Sequence, residues 1–428
     1  MEQHKKTGLI IKFKHLLRKT GAFIGPGFLT GAAGDDPSGI GTYSIAGAKY
    51  GLLIAWLVPF QLPLMFAIQE TCARIGLITK KGLAANMKQF FPKTVIYPAL
   101  AIFILANIFN IGANIAIMSE SATLLFGLNF QVCSLAITTI IILLQVFVPY
   151  HLYAKLLAWL SLFLVSYVIT GCMTTTHWLD VIKKTFTPTF HFSTDFILIA
   201  TGLIGTTISP YLFFWQTSQE LEELNDVNKK QPPIKTTLKR IRTETFIGMF
   251  FSQLIAWFII ITSFSTLHSF NITEINSAAE AALALRPLAG DWAFILFALG
   301  IIGAGLIGIP VLAGSTAYAL SEVFNYKASL SYTVKDARFF YSIISLATLG
   351  GLLINFVNIN PMQALLYAAV INGIATVPFI IFILILANKT EVMGIHKNSQ
   401  LSNAAGTITL CLMMTSALLS VIFPPFKK

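Results

Sequence analysis

The chain has 428 residues, 55% of them hydrophobic and only 11% charged, with a formal net charge of +11 and a mean hydropathy of +0.75. That composition is too apolar and too poor in charge for a soluble protein of this length. It predicts an all-α integral membrane protein, because helices satisfy their own backbone hydrogen bonds in hydrocarbon and no lipid-facing β-alternation competes.

Predominantly apolar stretches of about 18 residues or more lie near 21–47, 51–76, 95–118, 128–148, 153–173, 195–218, 244–265, 291–319, 339–356, 361–387 and 405–424. Eleven transmembrane helices are therefore predicted. With the N-terminus inside, 23 of the 29 Lys and Arg fall in inner segments, among them Lys5, Lys6, Arg74, Lys80, Arg240 and Arg242. This is the positive-inside bias, so the basic balance reflects topology and no nucleic-acid partner is expected. An odd number of spans puts the C-terminus outside. The basic, then apolar N-terminus resembles a signal peptide, but its apolar part is long and carries two aspartates, which argues against cleavage. Cys72, Cys133, Cys172 and Cys411 have no paired ligand spacing and read as small core residues.

Span 1 contains "DDPSG" (35–39) near its middle. Span 6 contains "GTTISPY" (205–211) at the same relative place. Proline lacks an amide donor and clashes with the preceding turn, so both helices should unwind there. Paired breaks at matching positions of two halves point to a secondary transporter with inverted repeats and a midplane site. The expected division is a cytoplasmic tail 1–20, a first five-helix repeat 21–173, a second repeat 174–387, and helix 11 with the C-terminus in 388–428. Between spans 6 and 7, "ELEELNDVNKKQPPIKTTLKRIRT" (220–243) reads as a solvated connector.

A carboxylate near the bilayer centre costs roughly 2.5–3.5 kcal/mol on insertion scales. Spans 1 and 6 offer no Lys or Arg to offset Asp36, so a cation is the expected partner. The unwound segments free carbonyls, and each preceding half-helix ends in partial negative charge. Asp36, the Ser209 hydroxyl and carbonyls near Ala33, Thr206 and Gly39 are expected to form an oxygen cage, which suits hard cations. Asn372 on span 10 is a further candidate, balanced against helix packing. Asp35 is expected to line the approach or to bond backbone at the break. Glu70 and Arg74 stand at i and i+4 and are expected to pair near the inner end of span 2. Tyr211 and Trp215 follow the second break and either wall the site or simply pack.

These residues resemble the natural resistance-associated macrophage protein (Nramp) divalent-metal transporters, which have a LeuT-like five-plus-five inverted repeat with broken helices 1 and 6. The resemblance is carried by "GPGFLTGAAGDDPSG", "GTTISPYLFFWQ" and "AAEAALALRPLAGDWAFILFALGIIGAG". It implies a divalent-cation substrate, no resident cofactor and a bacterial plasma membrane location; a monomer is sufficient. The family pattern Asp-Pro-Gly-Asn reads here as Asp36-Pro37-Ser38-Gly39, and Met-Pro-His reads as Ser209-Pro210-Tyr211; a further family His becomes Gln216. Replacing a soft thioether by a hydroxyl removes the preference for Mn and Fe, and smaller side chains leave room for a partly hydrated ion such as Mg²⁺. The chain thus resembles the Nramp-related magnesium transporter branch, which implies Mg²⁺ transport with Mn²⁺ also accepted.

In proton-coupled family members, a helix 3 carboxylate and the helix 6 histidines contribute to the proton route. Here span 3 carries Asn110 and Asn114, with Glu120 only near its outer end. His4, His15, His151, His177, His191, His268 and His396 all fall in tails, loops or helix ends. Weak or absent proton coupling is therefore expected. The alternatives are a proton-coupled Mn²⁺/Fe²⁺ symporter, a cation channel, or a sodium-coupled amino-acid carrier, whose substrate carboxylate Asp36 would repel. An enzyme is not expected, since no catalytic constellation or nucleotide-binding loop is present.

Overall fold

The computed structural model describes residues 25–148, 161–191, 193–225, 233–357 and 359–422. The described chain begins with two short helices in line, α1 (Pro26–Gly34) and α2 (Pro37–Tyr50), then α3 (Leu57–Thr79), a short α4 (Leu83–Phe90), α5 (Lys93–Phe126) and α6 (Phe130–Phe147). Next come α7 (Val165–Thr174), α8 (Trp178–Phe186), a second in-line pair α9 (Thr194–Thr207) and α10 (Pro210–Asn225), and α11 (Ile234–Thr266). Finally, α12 (Ala293–Phe324), α13 (Arg338–Ile354), α14 (Pro361–Asn388) and α15 (Gln400–Ile422) complete the bundle.

Among the described residues, seven segments are long and apolar enough to cross a membrane, and Val165–Thr174 and Arg338–Ile354 are shorter apolar helices. The other expected spans fall on the broken pair α1/α2 and on α3. The first residues of the fifth expected span lie outside the described residues, as does the tail 1–20.

Both breaks occur where the sequence predicts them. Asp36 is extended (φ −68°, ψ 169°) and caps α2, with Pro37 at the first helical position, where a missing amide costs nothing. The second break falls at Ile208–Ser209: α9 closes with Ile208 N–H donating to Ile204 O (2.8 Å), and Pro210 starts α10. A polar backbone cannot be left bare in a membrane core. Accordingly the Ile208 carbonyl accepts from the Thr376 hydroxyl of α14 at 2.8 Å.

Around the breaks, α5 packs along α12, α13 and α14; α9 along α14 and α2; α10 along α3, α12 and α1; and α11 along α1, α2 and α3. Small residues permit the closest crossings. A side chain at Gly31 would run into the Gly248 backbone, so α1 and α11 meet there without side chains between them. At the rim, α6 exposes Val132, Leu135, Ile140 and Leu143, and α15 exposes Leu401, Ile408, Leu418 and Ile422. Apolar surface of that kind belongs against lipid.

Candidate functional site

Asp36 is 1% exposed and accepts four hydrogen bonds. Its Oδ1 accepts from the Ser38 hydroxyl (2.6 Å) and the Gly39 amide (3.0 Å). Its Oδ2 accepts from Asn114 Nδ2 (2.9 Å) and Asn110 Nδ2 (3.3 Å) of α5. None of the four donors carries a charge, so no cationic side chain bonded to Asp36 compensates it. A carboxylate only accepts, so both amides present N–H to it; their Oδ1 atoms are buried without a hydrogen-bond partner. Gly308 of α12 packs directly against the residue: an added Cβ there would lie 2.7 Å from Asp36 Cβ and 3.8 Å from Asn114 Nδ2.

The two breaks meet beside this carboxylate. The Ser38 and Thr206 hydroxyls lie 3.5 Å apart. A Cβ at Gly39 would sit 3.3 Å from both Thr206 Oγ1 and the Gly34 carbonyl, so the missing side chain lets the half-helices approach. Gly39 lies in the first turn of α2, where its carbonyl belongs to the helix ladder and not to the unwound break. Ala33 and Thr206 sit in last helical turns, where carbonyls lack ladder partners. The Ala33 carbonyl accepts from Tyr211 Oη at 3.3 Å, and the Thr206 carbonyl accepts from Ser209 Oγ at 3.2 Å.

Ser209 is fully buried, and its hydroxyl also donates to Gly205 O at 2.5 Å. With its proton committed to the backbone, the oxygen's lone pairs are what it can offer a cation. Asn372 is fully buried beside the second break, since its carbonyl and that of Ile208 share the Thr376 hydroxyl. Neither amide atom of its side chain has a hydrogen-bond partner. The bundle thus brings Ala33, Asp36, Gly39, Thr206, Ser209 and Asn372 to the two breaks, and all six are buried.

Asp35 does not bond the break's backbone. Its Oδ1 accepts from Ser252 Oγ of α11 at 2.9 Å, on a different side from Asp36's α5 partners. In the sequence Asn110 and Asn114 stand out only as positions without an acid; in the fold both are partners of Asp36. A signal was present: Asn107, Asn110 and Asn114 recur at helical spacing on one face of an otherwise apolar helix. Asn107 binds α12 through Leu312 O, Ser315 and Thr316, tying α5 to α12. Trp215 is fully buried against Tyr318, a packing role.

At the end of the bundle where α1 begins, the predicted pair forms with Arg74 Nη2 3.0 Å from Glu70 Oε2. Two further connections join it: Arg242 Nε of α11 lies 2.9 Å from Glu70 Oε1, and Arg74 donates to His396 O (2.7 Å) and Asn398 Oδ1 (2.6 Å). The network ties α3, α11 and the turn before α15 together below the buried site.

Among the described residues no three His, Cys, Asp or Glu side chains cluster as a metal site of the usual kind. At the breaks the Asp36 carboxylate stands among neutral hydroxyl, amide and carbonyl groups, oxygen-rich chemistry of the kind hard cations favour.

The sequence model of the family described as natural resistance-associated macrophage protein-like matches residues 27–423. The chain is 26% identical over 393 residues to the divalent metal cation transporter MntH of Bacillus subtilis, covering 90% of this chain and 88% of that protein. With MntH of Verminephrobacter eiseniae it shares 24% identity over 433 residues, covering 96% and 92%. Among solved structures, the Eremococcus coleocola manganese transporter superposes with a TM-score of 0.77 at 15% identity, covering 95% of this chain and 88% of that one. The inward-facing conformation of Mhp1 gives a TM-score of 0.52 at 14% identity, covering 95% and 93%. With a family match running through nearly every described helix and both breaks, the chain belongs to the Nramp family.

Proposed function

We infer that this Nramp protein carries divalent metal cations across a membrane by alternating access, that Mg²⁺ is its principal substrate with Mn²⁺ also accepted, and that transport is coupled weakly or not at all to protons. Family membership makes it a transporter and not an enzyme. Asp36 supplies the charge, while Ser209, Thr206, the carbonyl near Ala33 and the Asn372 amide supply neutral oxygens. Gly39 keeps the cage open.

The observation that carries the reading is the environment of Asp36. Every side chain bonded to it is a hydroxyl or a primary amide. Oxygen ligands without a soft partner favour Mg²⁺ over thiophilic ions, and Mg²⁺ keeps several waters. Amides in α5 cannot pass a proton as a carboxylate can, so the metal gradient and membrane potential drive transport. Two five-helix repeats, 21–173 and 174–387, would rock about this site, with the remainder from 388 outside them. The N-terminus faces the cytoplasm of a bacterial plasma membrane, in keeping with the Lys and Arg distribution.

The test is metal competition in proteoliposomes, with Mg²⁺, Mn²⁺ and Ca²⁺ as substrates and a lumenal pH dye. The expected result is saturable Mg²⁺ uptake, inhibited by Mn²⁺, without lumenal acidification. Uptake of Mn²⁺ but not of Mg²⁺, or acidification that follows metal entry, would overturn the corresponding part.

A further inference from the structure

The nine residues of α8 present three faces. Val181 and Thr185 are buried against the bundle, where Trp257 Nε1 of α11 donates to Thr185 Oγ1 at 3.0 Å and the Trp178 and Trp257 rings lie 6.3 Å apart. Leu179, Ile182 and Phe186, at i, i+3 and i+7, form a second face that is apolar yet 86%, 48% and 64% exposed. Asp180, Lys183 and Lys184 make up the third, exposed face, and neither lysine forms an ion pair among the described residues.

The depth of α8 in the bundle indicates what meets the apolar face. Its contact on α11, Trp257, precedes the end of that helix at Thr266 by about 14 Å along the axis. α8 therefore lies alongside a segment long and apolar enough to cross a membrane, not beyond its end. The residues that follow keep to that level. Trp56 Nε1 donates to Thr189 O at 3.1 Å, and the Trp56 ring lies 5.1 Å from Phe190 and 5.8 Å from Phe60 in the first turn of α3. Phe190 and Phe60 are both exposed. Exposed aromatic rings beside hydrogen-bonded indoles mark the boundary between hydrocarbon and headgroups.

We propose that α8 lies in the bilayer interface at the end of the bundle opposite the start of α1, with Leu179, Ile182 and Phe186 among the acyl chains and Lys183 and Lys184 on the phosphates of anionic phospholipids. An interfacial helix buries its apolar side about 5–10 Å below the headgroups, while lysines on the neighbouring face reach up to them along their own apolar stems. Two lysines without protein partners at this level complement negative headgroups. A second copy of the chain would match the apolar stripe but would leave that charge unanswered. The lipid would border both broken helices: Lys49 Nζ near the end of α2 lies 2.6 Å from Asp195 Oδ2 at the start of α9, and the Tyr50 and Ser193 hydroxyls are 3.3 Å apart. The inference needs only that the chain spans a membrane, whichever cation it carries.

The experiment places a bimane fluorophore on Ile182→Cys, in full-length protein carrying Cys172→Ser and Cys411→Ser so that the other cysteines left are buried. The protein is reconstituted in vesicles of equal parts phosphatidylglycerol and phosphatidylcholine, with one or the other brominated on its acyl chains, and iodide serves as the quencher in water. Brominated phosphatidylglycerol should quench about twofold more than brominated phosphatidylcholine, and iodide should have little effect. Lys183→Gln with Lys184→Gln should make the two lipids equal while both still quench; the two side chains are exposed, so packing is kept. Equal quenching by the two lipids with both lysines in place would refute the anionic partner. Iodide quenching without lipid quenching would put α8 in water, and a label reached by neither would put a second copy of the chain on this face; each of these outcomes refutes the bilayer seat.

Discussion

Asn114 of α5 donates its side-chain amide to Asp36 Oδ2 at 2.9 Å, joining the longest described helix to the first break. Hydrogen bonds to a charged group are worth about 1.5–3 kcal/mol. Asn114→Ala should therefore weaken Mg²⁺ binding about tenfold or more, since Asp36 loses both a donor and its orientation. Calorimetric titration in detergent checks this; an unchanged Kd would remove Asn114 from the site.

Asn114→Asp tests proton coupling from the opposite side. Two carboxylates within hydrogen-bonding distance share a proton and titrate as a pair. Metal must then displace that proton, so the variant's apparent Mg²⁺ affinity should fall as pH falls through the pair's upper titration. The native protein should respond much less over the same range. Initial rates of vesicle uptake at a series of pH values provide the comparison, and parallel profiles for both proteins would count against the proposal that the α5 amides keep protons out of the transport cycle.

Ser209→Met puts a thioether where the family resemblance has one. A soft sulfur gains on Mn²⁺ and loses on Mg²⁺. The Mn²⁺/Mg²⁺ uptake ratio should rise about tenfold, which corresponds to about 1.4 kcal/mol of relative preference. Because Ser209 is fully buried and bonded to Gly205 O, some stability should be lost as well. Competition assays normalised to folded protein separate the two effects, and an unchanged ratio would show that residue 209 does not set selectivity.

What could be read directly from the sequence was local chemistry. Asp36-Pro37 and Ser209-Pro210 are stop-and-start signals for helices, so both breaks follow from adjacent residues, and Glu70–Arg74 follows from helical spacing. The missing part was long-range. Nothing near Asp35 signals that its partner is Ser252, 217 residues away, and nothing near Glu70 indicates Arg242, 172 residues away. Gly308 likewise reads as one more glycine in an apolar helix until the bundle sets it against Asp36. Asn110 and Asn114 fall between these cases: their shared face was visible, but which helix it met was not.

Gly308→Ala is the sharpest steric test of that packing. Its new Cβ would lie 2.7 Å from Asp36 Cβ, so Asp36 or α12 must shift by several tenths of an ångström. Overpacking of this kind costs about 1–3 kcal/mol. Transport should fall at least tenfold with a modest loss of thermal stability, because a small displacement breaks the alignment of Asp36 with its four donors. Gly127→Ala, where no atom lies within 4 Å but φ is +66°, controls for backbone strain away from the site and should transport normally. Equal transport by the two variants would place Gly308 outside the mechanism.

The network at the opposite end of α1 separates stability from conformational control. Arg74 is 4% exposed and compensates the buried Glu70 while binding His396 O, whereas Arg242 is 61% exposed. Removing one partner of a buried pair costs about 3–5 kcal/mol, and an exposed pair contributes about 0–1 kcal/mol. Arg74→Ala should therefore lower the melting temperature sharply or prevent folding, while Arg242→Ala should leave it nearly unchanged. Arg242 nonetheless joins α11 to α3, so its loss should favour opening at this end. In Arg242→Ala, Cys72, buried next to this network, should react faster with a thiol reagent than in the native protein, and Mg²⁺ should slow that reaction by favouring the closed arrangement. Equal Cys72 reactivity in native and Arg242→Ala protein would mean that the Glu70–Arg242 contact is only a surface ion pair.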